Sequence, residues 1–412
     1  MNEERLMASI EDLATKCNET PEHGVTRISW TKMDLKAHLW LEKEFSRIGV
    51  PVWTDGAGNV HALYRGKTKE PRLIIGSHLD TVRNGGKYDG TYGMLAALEV
   101  LRSFKEERFQ PDRNIEFIAF AEEEGSNFGT TCLGSKLITG VVSPEKLKDL
   151  KNEETNAWEM LEEFGMHPEN LVNEQINAQD VFAFLEVHVE QGKLLEQKKY
   201  AIGIVTAISG MLLHRVVFKG HSAHAASKME GRRDPLVCFV ECHQALQKAY
   251  QDNVLPEGSS FTVGKIACYP GIGNVVPNEC AFCFDVRHYE VPLLAKSWEI
   301  CEKIIRDTAQ KNNIEVEITP LSASGGVKMA EIAQNAFKEA AQNLGYEFME
   351  LPSGPAHDAA AMANVVPAGL LFVPSKDGIS HSPDEYTAPE DLAKGARVYE
   401  EAIRKLATIT EN

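Results

Sequence analysis

The chain has 412 residues, of which 43% are hydrophobic and 25% are charged, a globular composition that is long enough for two domains. Its formal net charge of -17 is spread along the sequence, which argues against a nucleic-acid partner because nucleic-acid binding requires basic patches. We expect a soluble protein without a membrane partner, since no apolar run approaches the length of a membrane span and the acidic N-terminus is unlike a signal peptide.

The first part of the sequence alternates helical and strand patterns. A helical period covers 34–48 and again 94–104, and short apolar runs typical of buried strands cover 73–77, 115–121 and 181–189. This alternation predicts a mostly parallel sheet with helices on its faces.

The pattern changes near Gly210. Strands that alternate apolar and polar residues, with helices between them, predict a smaller α+β domain with an antiparallel sheet. The predicted strands are 212–219, 260–267 and 281–288, and the predicted helices are 235–253 and 292–312.

The first pattern returns in the last part of the chain, with a predicted helix at 328–344 and a predicted strand at 370–373. The predicted fold class is therefore α/β, a domain with a mostly parallel sheet flanked by helices that is interrupted by a smaller α+β domain. Glycines at the two crossings, Gly210 and the pair Gly325 and Gly326, predict a hinge. The predicted domains are 1–210 with 325–412, and 211–324 as the insertion.

Eight cysteines are scattered along the chain. Cys280 and Cys283 form a C-x-x-C, and Cys238 and Cys242 lie one helical turn apart. Neither pair has a partner pair at the spacing of a zinc ribbon, so we interpret the cysteines as buried free thiols. Free thiols predict a reducing, cytoplasmic location.

Residue types that bind metal ions lie at or just after the ends of four of the predicted strands. Because functional groups gather at the carboxyl ends of the strands in an open α/β sheet, we expect these side chains to lie close together. They are His78, Asp80 and Asp89 after the first strand, Glu122, Glu123 and Glu124 after the second, His188 in the third and His381 after the last.

Each of these residues has an ordinary structural explanation when it is taken singly. Asp89 could cap a helix, successive glutamates usually form a solvated face, and His188 could be a core histidine. Together they favour a metal site, where a cation neutralises the repulsion between the glutamates. Imidazole and carboxylate ligands without thiolate suit Zn, Mn, Co or Ni. Asp80 is predicted to accept a hydrogen bond from the second ring nitrogen of His78 and so to fix its tautomer.

Six stretches of the sequence, in order and over nearly its whole length, resemble the amidase branch of the M20 metallopeptidase family. They are GSHLDTVRNGGKYDG, AEEEGSNF, LEVHVEQGKLLE, NVVPNECAFCFDVRH, SGPAHDAAAMA and DGISHSPDEYT. This branch contains the N-carbamoyl-L-amino acid hydrolases, the allantoate amidohydrolases and the β-ureidopropionases. The resemblance implies a catalytic α/β domain that holds two divalent metal ions per subunit, and an inserted lid domain through which two subunits form a homodimer.

The resemblance also implies a role for each matching residue. The implied metal ligands are His78, Asp89, Glu124, His188 and His381, with Asp89 bridging the two ions. Glu123 is the implied general base, and His224 in the lid is implied to polarise the scissile carbonyl. The implied substrate contacts are Gln191, His224, Asn274, Arg287 and His357.

The sequence departs from the family after the lid histidine. The family usually has H-A-G-T-T-P-M there, whereas this chain has His224 followed by residues 225–229, AASKM, without the threonines or the proline. The pattern resumes at Arg232, a lid residue without an assigned role, and His221 competes with His224 as the match. Arg287 suits a bidentate grip on a substrate carboxylate, and its alternative explanation is a surface ion pair.

The predicted function is metal-dependent hydrolysis of a C–N bond in a small carboxylate-bearing ureido compound. We favour an N-carbamoyl-L-amino acid, with release of the amino acid, carbon dioxide and ammonia, and keep allantoate as the alternative. An aminoacylase or dipeptidase of the same wider family is disfavoured by the Glu-Gln-Gly and Asp-Gly-Ile-Ser-His motifs. A non-catalytic binding protein would be expected to lose a ligand or the base, and a structural protein would not need these residues.

Overall fold

The computed structural model describes residues 1–409 of the chain. The chain forms two compact units. The first unit runs from Met1 to Thr206 and resumes at Lys328, and the inserted unit comprises Ala207–Val327. The predicted insertion, residues 211–324, lies within the limits of this second unit.

The secondary structure alternates between helices and strands along most of the chain. The helices are α1 (Glu3–Lys16), α2 (Lys32–Arg47), α3 (Thr91–Glu106), α4 (Leu133–Ile138), α5 (Ala157–Phe164), α6 (Leu171–Glu174), α7 (Leu194–Lys198), α8 (Pro235–Gln251), α9 (Val291–Lys311), α10 (Glu331–Asn343), α11 (Asp358–Met362) and α12 (Pro389–Ala407). The strands are β1 (Val52–Thr54), β2 (Val60–Tyr64), β3 (Arg72–His78), β4 (Ile115–Phe120), β5 (Val181–Val189), β6 (Ile202–Ile208), β7 (Gly210–Lys219), β8 (Ala223–His224), β9 (Ser260–Tyr269), β10 (Val275–Val276), β11 (Glu279–His288), β12 (Glu315–Ser324), β13 (Val327–Lys328), β14 (Phe348–Ser353) and β15 (Ala368–Val373). Short 3-10 helices cover Pro144–Lys148, Pro168–Asn170, Ala178–Asp180 and Lys376–Gly378.

The first unit is built on a sheet whose strand order runs β1-β2-β4-β3-β5-β15-β6. The four strands from β4 to β15 are parallel, and β2 and β6 pair with them antiparallel. β4 and β15 are buried at every position, as expected for strands that helices cover on both faces. The predicted fold class, an α/β protein with a large sheet that contains parallel strands, is confirmed.

The start of α3 lies directly against the end of β3. Every residue of α3 from Thr91 to Phe104 is buried, so the helix is held in place by the core. Gly90 precedes it with a φ of 59°, and a Cβ at this position would overlap the imidazole of His78. Glycine therefore permits both the backbone conformation and the close approach to His78.

The inserted unit contains an antiparallel sheet with the order β12-β7-β11-β9, as its alternating sequence pattern predicts. α8 and α9 pack against β7 and β11. Their core includes Phe218, Phe282 and Phe284 together with the buried Cys238 and Cys280. β8 and β10 form a separate two-stranded ribbon.

Some elements differ from their predictions. The helix predicted at 328–344 begins only at Glu331, because residues 327–328 form β13. All eight cysteines are free thiols, but Cys268 and Cys283 are half-buried while the other six are buried as predicted.

Within residues 1–409, none of the helices combines the length and the apolarity that a bilayer crossing needs. The cytoplasmic location stays a prediction.

Candidate metal centre

Two buried histidines face each other at the carboxyl edge of the parallel strands. His78 ends β3 and His188 lies near the end of the neighbouring β5. The Nδ1 of His78 lies 3.0 Å from the carbonyl of Asp80, and the Nδ1 of His188 lies 2.8 Å from the carbonyl of Val189. A carbonyl can only accept, so each Nδ1 carries a proton, and in the neutral ring each Nε2 is left as an acceptor. The Gly90 N–H donates to Nε2 of His188 at 2.9 Å, which agrees with this tautomer.

The carboxylate of Asp89 lies between two groups of possible ligands. Its Oδ1 is 3.4 Å from Nε2 of His78 and 3.1 Å from Nε2 of His188. Its Oδ2 is 3.3 Å from Nε2 of His381, which is also 3.1 Å from Oε2 of Glu124. Within each group the ligand atoms lie within 4.8 Å of one another. The structure thus brings the five predicted ligands together, with Asp89 common to both groups.

The donor atoms fit divalent cations. Oε1 of Glu124 is buried and has no hydrogen-bond partner within the described residues. Leaving a buried carboxylate oxygen unsatisfied costs free energy, and a cation would satisfy it. Each group combines imidazole nitrogen with carboxylate oxygen and contains no thiolate, a set that suits Zn, Mn, Co or Ni. Three protein donors per group leave coordination positions for water or substrate.

The protonation of these groups reflects their mutual attraction. Burial disfavours a charged His78, but the Glu123 carboxylate and a hydrogen bond to Asp89 outweigh burial and raise the pKa of His78 well above its usual value. Burial alone would raise the pKa of Asp89, whereas the charge and hydrogen bond of His188 bring this pKa well below its usual value. Hydrogen bonds to Asp89 and Glu124 raise the pKa of His381 to about 11. Metal binding would therefore displace protons from these imidazoles.

Glu123 lies beside the two groups without belonging to either. Its Oε2 is 3.8 Å from Nε2 of His78, and its Oε1 is 3.0 Å from Sγ of Cys132. Burial raises the pKa of Glu123 well above its usual value; the His78 charge opposes this shift, and the carboxylates of Asp358 and Glu124 add to it. A buried carboxylate with a raised pKa next to a metal site is suited to accept and return a proton.

Asp80 has a different role from the predicted one. Its backbone carbonyl, not its carboxylate, accepts from Nδ1 of His78, and the carboxylate Oδ1 lies 3.7 Å from that nitrogen. The carboxylate accepts instead from the backbone N–H groups of Glu123 and Glu124, both at 3.1 Å. Asp80 therefore fixes the backbone of the glutamate segment while its carbonyl fixes the histidine tautomer.

Gln191 and His357 are the predicted substrate contacts in the first unit, and both lie next to the candidate ligands. Nε2 of Gln191 donates to Oδ2 of Asp89 at 2.6 Å, and its Oε1 is buried without a hydrogen-bond partner in the described chain. The ring of His357 packs edge-on against His188 with centroids 4.6 Å apart. Burial, and then the charge of His188, lower the pKa of His357 well below its usual value, so this imidazole is neutral.

Two further residues hold Asp89 and had no predicted role. Ser380 Oγ lies 2.6 Å from Oδ2 of Asp89 and 3.0 Å from Oε1 of Glu385, and its single proton is donated to one of these carboxylates at a time. The carboxylate of Glu385 also accepts from the backbone N–H of Tyr88 at 2.9 Å. Ser380 and Glu385 lie in the DGISHSPDEYT stretch around His381, so that motif was the available signal.

In the inserted unit, His224 and Asn274 are neighbours in the ribbon of β8 and β10. His224 pairs with Val275, and the Ala225 N–H donates to the Asn274 carbonyl at 3.0 Å. Nδ1 of His224 accepts from the Ala226 N–H at 3.1 Å. The proton of a neutral His224 therefore lies on Nε2, which makes this nitrogen a hydrogen-bond donor.

Arg232 shapes the segment that departs from the family pattern. Its guanidinium donates to the carbonyls of Ala225 at 2.9 Å and Lys228 at 3.0 Å, and also to that of Ser227. His221 lies outside this arrangement, with Nδ1 donating to the Gly220 carbonyl at 2.8 Å. The backbone carbonyls of the segment after His224 are thus held by the side chain of one arginine.

Arg287 lies on β11 and engages a carboxylate of its own strand. Its Nε and Nη2 contact Asp285 at 3.1 Å and 3.0 Å, and Nη2 also lies 3.8 Å from Sδ of Met211. The side chain is 37% exposed. Asp285 holds the guanidinium in a defined orientation, which limits the rotamer entropy lost when a ligand binds.

The fold and the site define a class of protein, an α/β enzyme with a candidate metal centre at the carboxyl edge of its sheet. The sequence profile of peptidase family M20/M25/M40 matches residues 74–405. An N-carbamoyl-L-amino acid amidohydrolase of Geobacillus stearothermophilus is 32% identical over 406 residues, 98% of each chain. An allantoate amidohydrolase of Bacillus subtilis is 35% identical over 390 residues, 93% of each chain. The crystal structure of an amidase of the hydantoinase/carbamoylase family from Burkholderia multivorans superposes with a TM-score of 0.89, at 29% identity over 98% of each chain.

The chain belongs to peptidase family M20/M25/M40. The prediction of an enzyme of the amidohydrolase class is confirmed by this membership and by the relatives. The relatives support hydrolysis of a C–N bond in ureido compounds. The metal ions and the roles of individual residues stay predictions.

Proposed function

We propose that the protein hydrolyses the ureido C–N bond of a small carboxylate-bearing compound, and that its substrates are N-carbamoyl-L-amino acids. The observation that carries this proposal is the position of Asp89, common to two groups of metal-ligand residues, with Glu123 beside them. Two bound divalent cations would supply Lewis acidity and lower the pKa of water. The named activities of the relatives supply the substrate class.

The chain's own residues would divide the remaining work. Glu123 takes a proton from the attacking water on its carboxylate and delivers it to the leaving nitrogen. His224, which carries its proton on Nε2, donates a hydrogen bond to the carbonyl oxygen as negative charge develops there. Arg287 binds the substrate carboxylate through its guanidinium. Gln191, Asn274 and His357 provide polar contacts.

The choice between an N-carbamoyl amino acid and allantoate depends on a second ureido group. Allantoate carries two ureido groups, whereas an N-carbamoyl amino acid carries one. Each polar atom of the second ureido group that is buried without a hydrogen-bond partner would cost about 1–3 kcal/mol. The segment after His224 has lost the usual threonine hydroxyls, and Arg232 occupies the carbonyls of Ala225 and Ser227. These features favour a substrate with a single ureido group. Allantoate remains the second candidate, since an allantoate amidohydrolase is 35% identical to the chain.

A homodimer formed through the inserted unit belongs to the same proposal. Three apolar residues of α8, Leu236, Val237 and Val240, are exposed. β9 lies at the end of its sheet, with Ile266 and Tyr269 exposed. A second copy would cover these side chains and pair with the open edge strand. Light scattering should give twice the chain mass, and Val237→Asp should lower it; a monomer at micromolar concentration would contradict the proposal.

The substrate experiment measures ammonia release on metal-loaded enzyme. N-carbamoyl-L-methionine, N-carbamoyl-β-alanine and allantoate are compared by kcat/KM, with Glu123→Gln from the same purification as the control. We expect N-carbamoyl-L-methionine to lead. A tenfold preference for allantoate, equal to about 1.4 kcal/mol in transition-state binding, would reverse the choice. Absence of turnover with all ureido acids would refute the proposed function.

A further inference from the structure

The carboxylate of Glu123 has an unusual hydrogen-bond partner. Sγ of Cys132 lies 3.0 Å from Oε1 of Glu123. Within residues 1–409, this thiol is the sole hydrogen-bond donor to that carboxylate. Cys132 is 1% exposed and Glu123 is 6% exposed, so water does not compete freely for the contact.

The backbone places this thiol with little freedom. Cys132 precedes α4 with a φ of 54°. Its N–H donates to the Glu123 carbonyl at 2.7 Å, and the N–H groups of Leu133 and Gly134 donate to Glu122 and Ala121 at 3.0 Å each. The start of α4 therefore holds the backbone of the glutamate segment, and the thiol adds a separate contact to the side chain.

The Cys132 sulfur is protonated, as a hydrogen-bond donor must be. Burial, and then the nearby carboxylate of Glu123, raise the pKa of the Cys132 thiol well above its usual value, so the sulfur keeps its proton. A thiol is a weak donor, so it can orient a carboxylate without strongly competing for the oxygen that must accept a proton. A thiol that only filled space would need no polar partner at this distance.

We propose that Cys132 is a positioning residue for Glu123, whose thiol fixes the rotamer of the carboxylate that serves as general base. The proposal rests on the proposed function, in which Glu123 moves the proton. Cys132 belongs to neither candidate ligand group, and its thiol contacts Glu123. Its removal should lower kcat and leave KM and metal content unchanged.

The experiment compares Cys132→Ala and Cys132→Ser in the metal-loaded full chain. Serine keeps a donor of similar size, so its kcat should stay within about threefold of the native value. Alanine removes the donor, and its kcat should fall about tenfold, or about 1.4 kcal/mol. Cys17→Ala is the matched control, because Cys17 is a buried free thiol of the same unit with no contact to Glu123, and it should keep the native kcat.

An infrared measurement tests the contact without any turnover. The S–H stretching band of Cys132 is the band that disappears in Cys132→Ser. Glu123→Gln should shift this band toward that of a weaker hydrogen bond, since a neutral amide accepts less strongly than a carboxylate. This readout separates failure of the inference from failure of the proposed function, which would show as no turnover of any ureido acid.

Three results would overturn the proposal. The first is a native kcat in Cys132→Ala. The second is a pattern of loss that indicates a structural role. Such a pattern is either an equal loss of kcat in the serine and alanine variants or a loss of kcat accompanied by a matching change in KM or metal content. The third is an S–H band that Glu123→Gln leaves in place.

Discussion

Gly90→Ala should disturb the candidate metal centre from outside its set of ligands. The added Cβ would overlap the imidazole of His78, and the φ of 59° places alanine in the left-handed region. The conformational part costs about 1 kcal/mol, and overpacking of a closed site adds about 1–3 kcal/mol. The His78 ring must move to relieve the overlap, so the variant should also lose metal affinity.

Gly129→Ala is the matched control for this prediction. Gly129 has a φ of +69°, and a Cβ there would meet nothing within 4 Å. It should therefore lose only the conformational part of the stability and keep its metal content. Thermal unfolding and metal analysis on both variants make the comparison. Equal melting temperatures with equal metal content would refute the close approach between residue 90 and His78.

The remaining predictions concern the proposed chemistry. Glu123→Gln should keep metal content and lose about 10²–10⁴-fold in kcat, the usual contribution of a general base; near-native kcat would remove Glu123 from that role. Glu124→Gln should lower metal occupancy as well, because Glu124 is one of three donors in its group; elemental analysis would show whether both ions remain. Arg287→Ala should mainly raise KM for ureido acids, and the native enzyme should turn over uncharged amide analogues poorly; equal turnover of an acid and its amide would argue against a carboxylate-binding arginine. His224→Ala should mainly lower kcat, about 10²–10³-fold for an oxyanion donor; a change confined to KM would contradict that role.

Much of the site was predictable because buried parallel strands leave a clear record in the sequence. β3 and β5 are apolar runs that carry or end in a histidine, and the topology of such sheets places these ends at one edge. That reasoning predicts a cluster of His78, His188 and the glutamates. It does not separate Glu123 from Glu124, and only the family resemblance assigned them different roles.

The features that could not be predicted depend on contacts between distant residues or on atomic detail. Ser380 reaches Asp89 across most of the chain, and the motif around Ser380 does not show which residue it contacts. The role of Asp80 depends on whether its carbonyl or its carboxylate lies nearer to Nδ1 of His78. The identity and spacing of the residues do not determine which of the two it is. The contact between Cys132 and Glu123 requires a left-handed residue before α4, which periodicity does not reveal.

The direction of the strands near the sheet edges could not be predicted from the pattern of apolar residues either. β2 and β6 pair antiparallel with the parallel centre, although apolar runs alone do not encode strand direction. The start of α10 was predicted three residues early, because Lys328 belongs to β13 and the helical period continues smoothly into it. Tertiary pairing decides such boundaries.

Metal reconstitution tests the central claim most directly. The enzyme is depleted by prolonged chelation, its residual metal is measured, and Mn, Co, Zn or Ni is titrated back while ammonia release from an N-carbamoyl-L-amino acid is followed. We expect no turnover in the depleted protein, and recovery that saturates at two ions per chain, one for each group that shares Asp89. Full activity in a preparation shown to contain no transition metal would contradict the account.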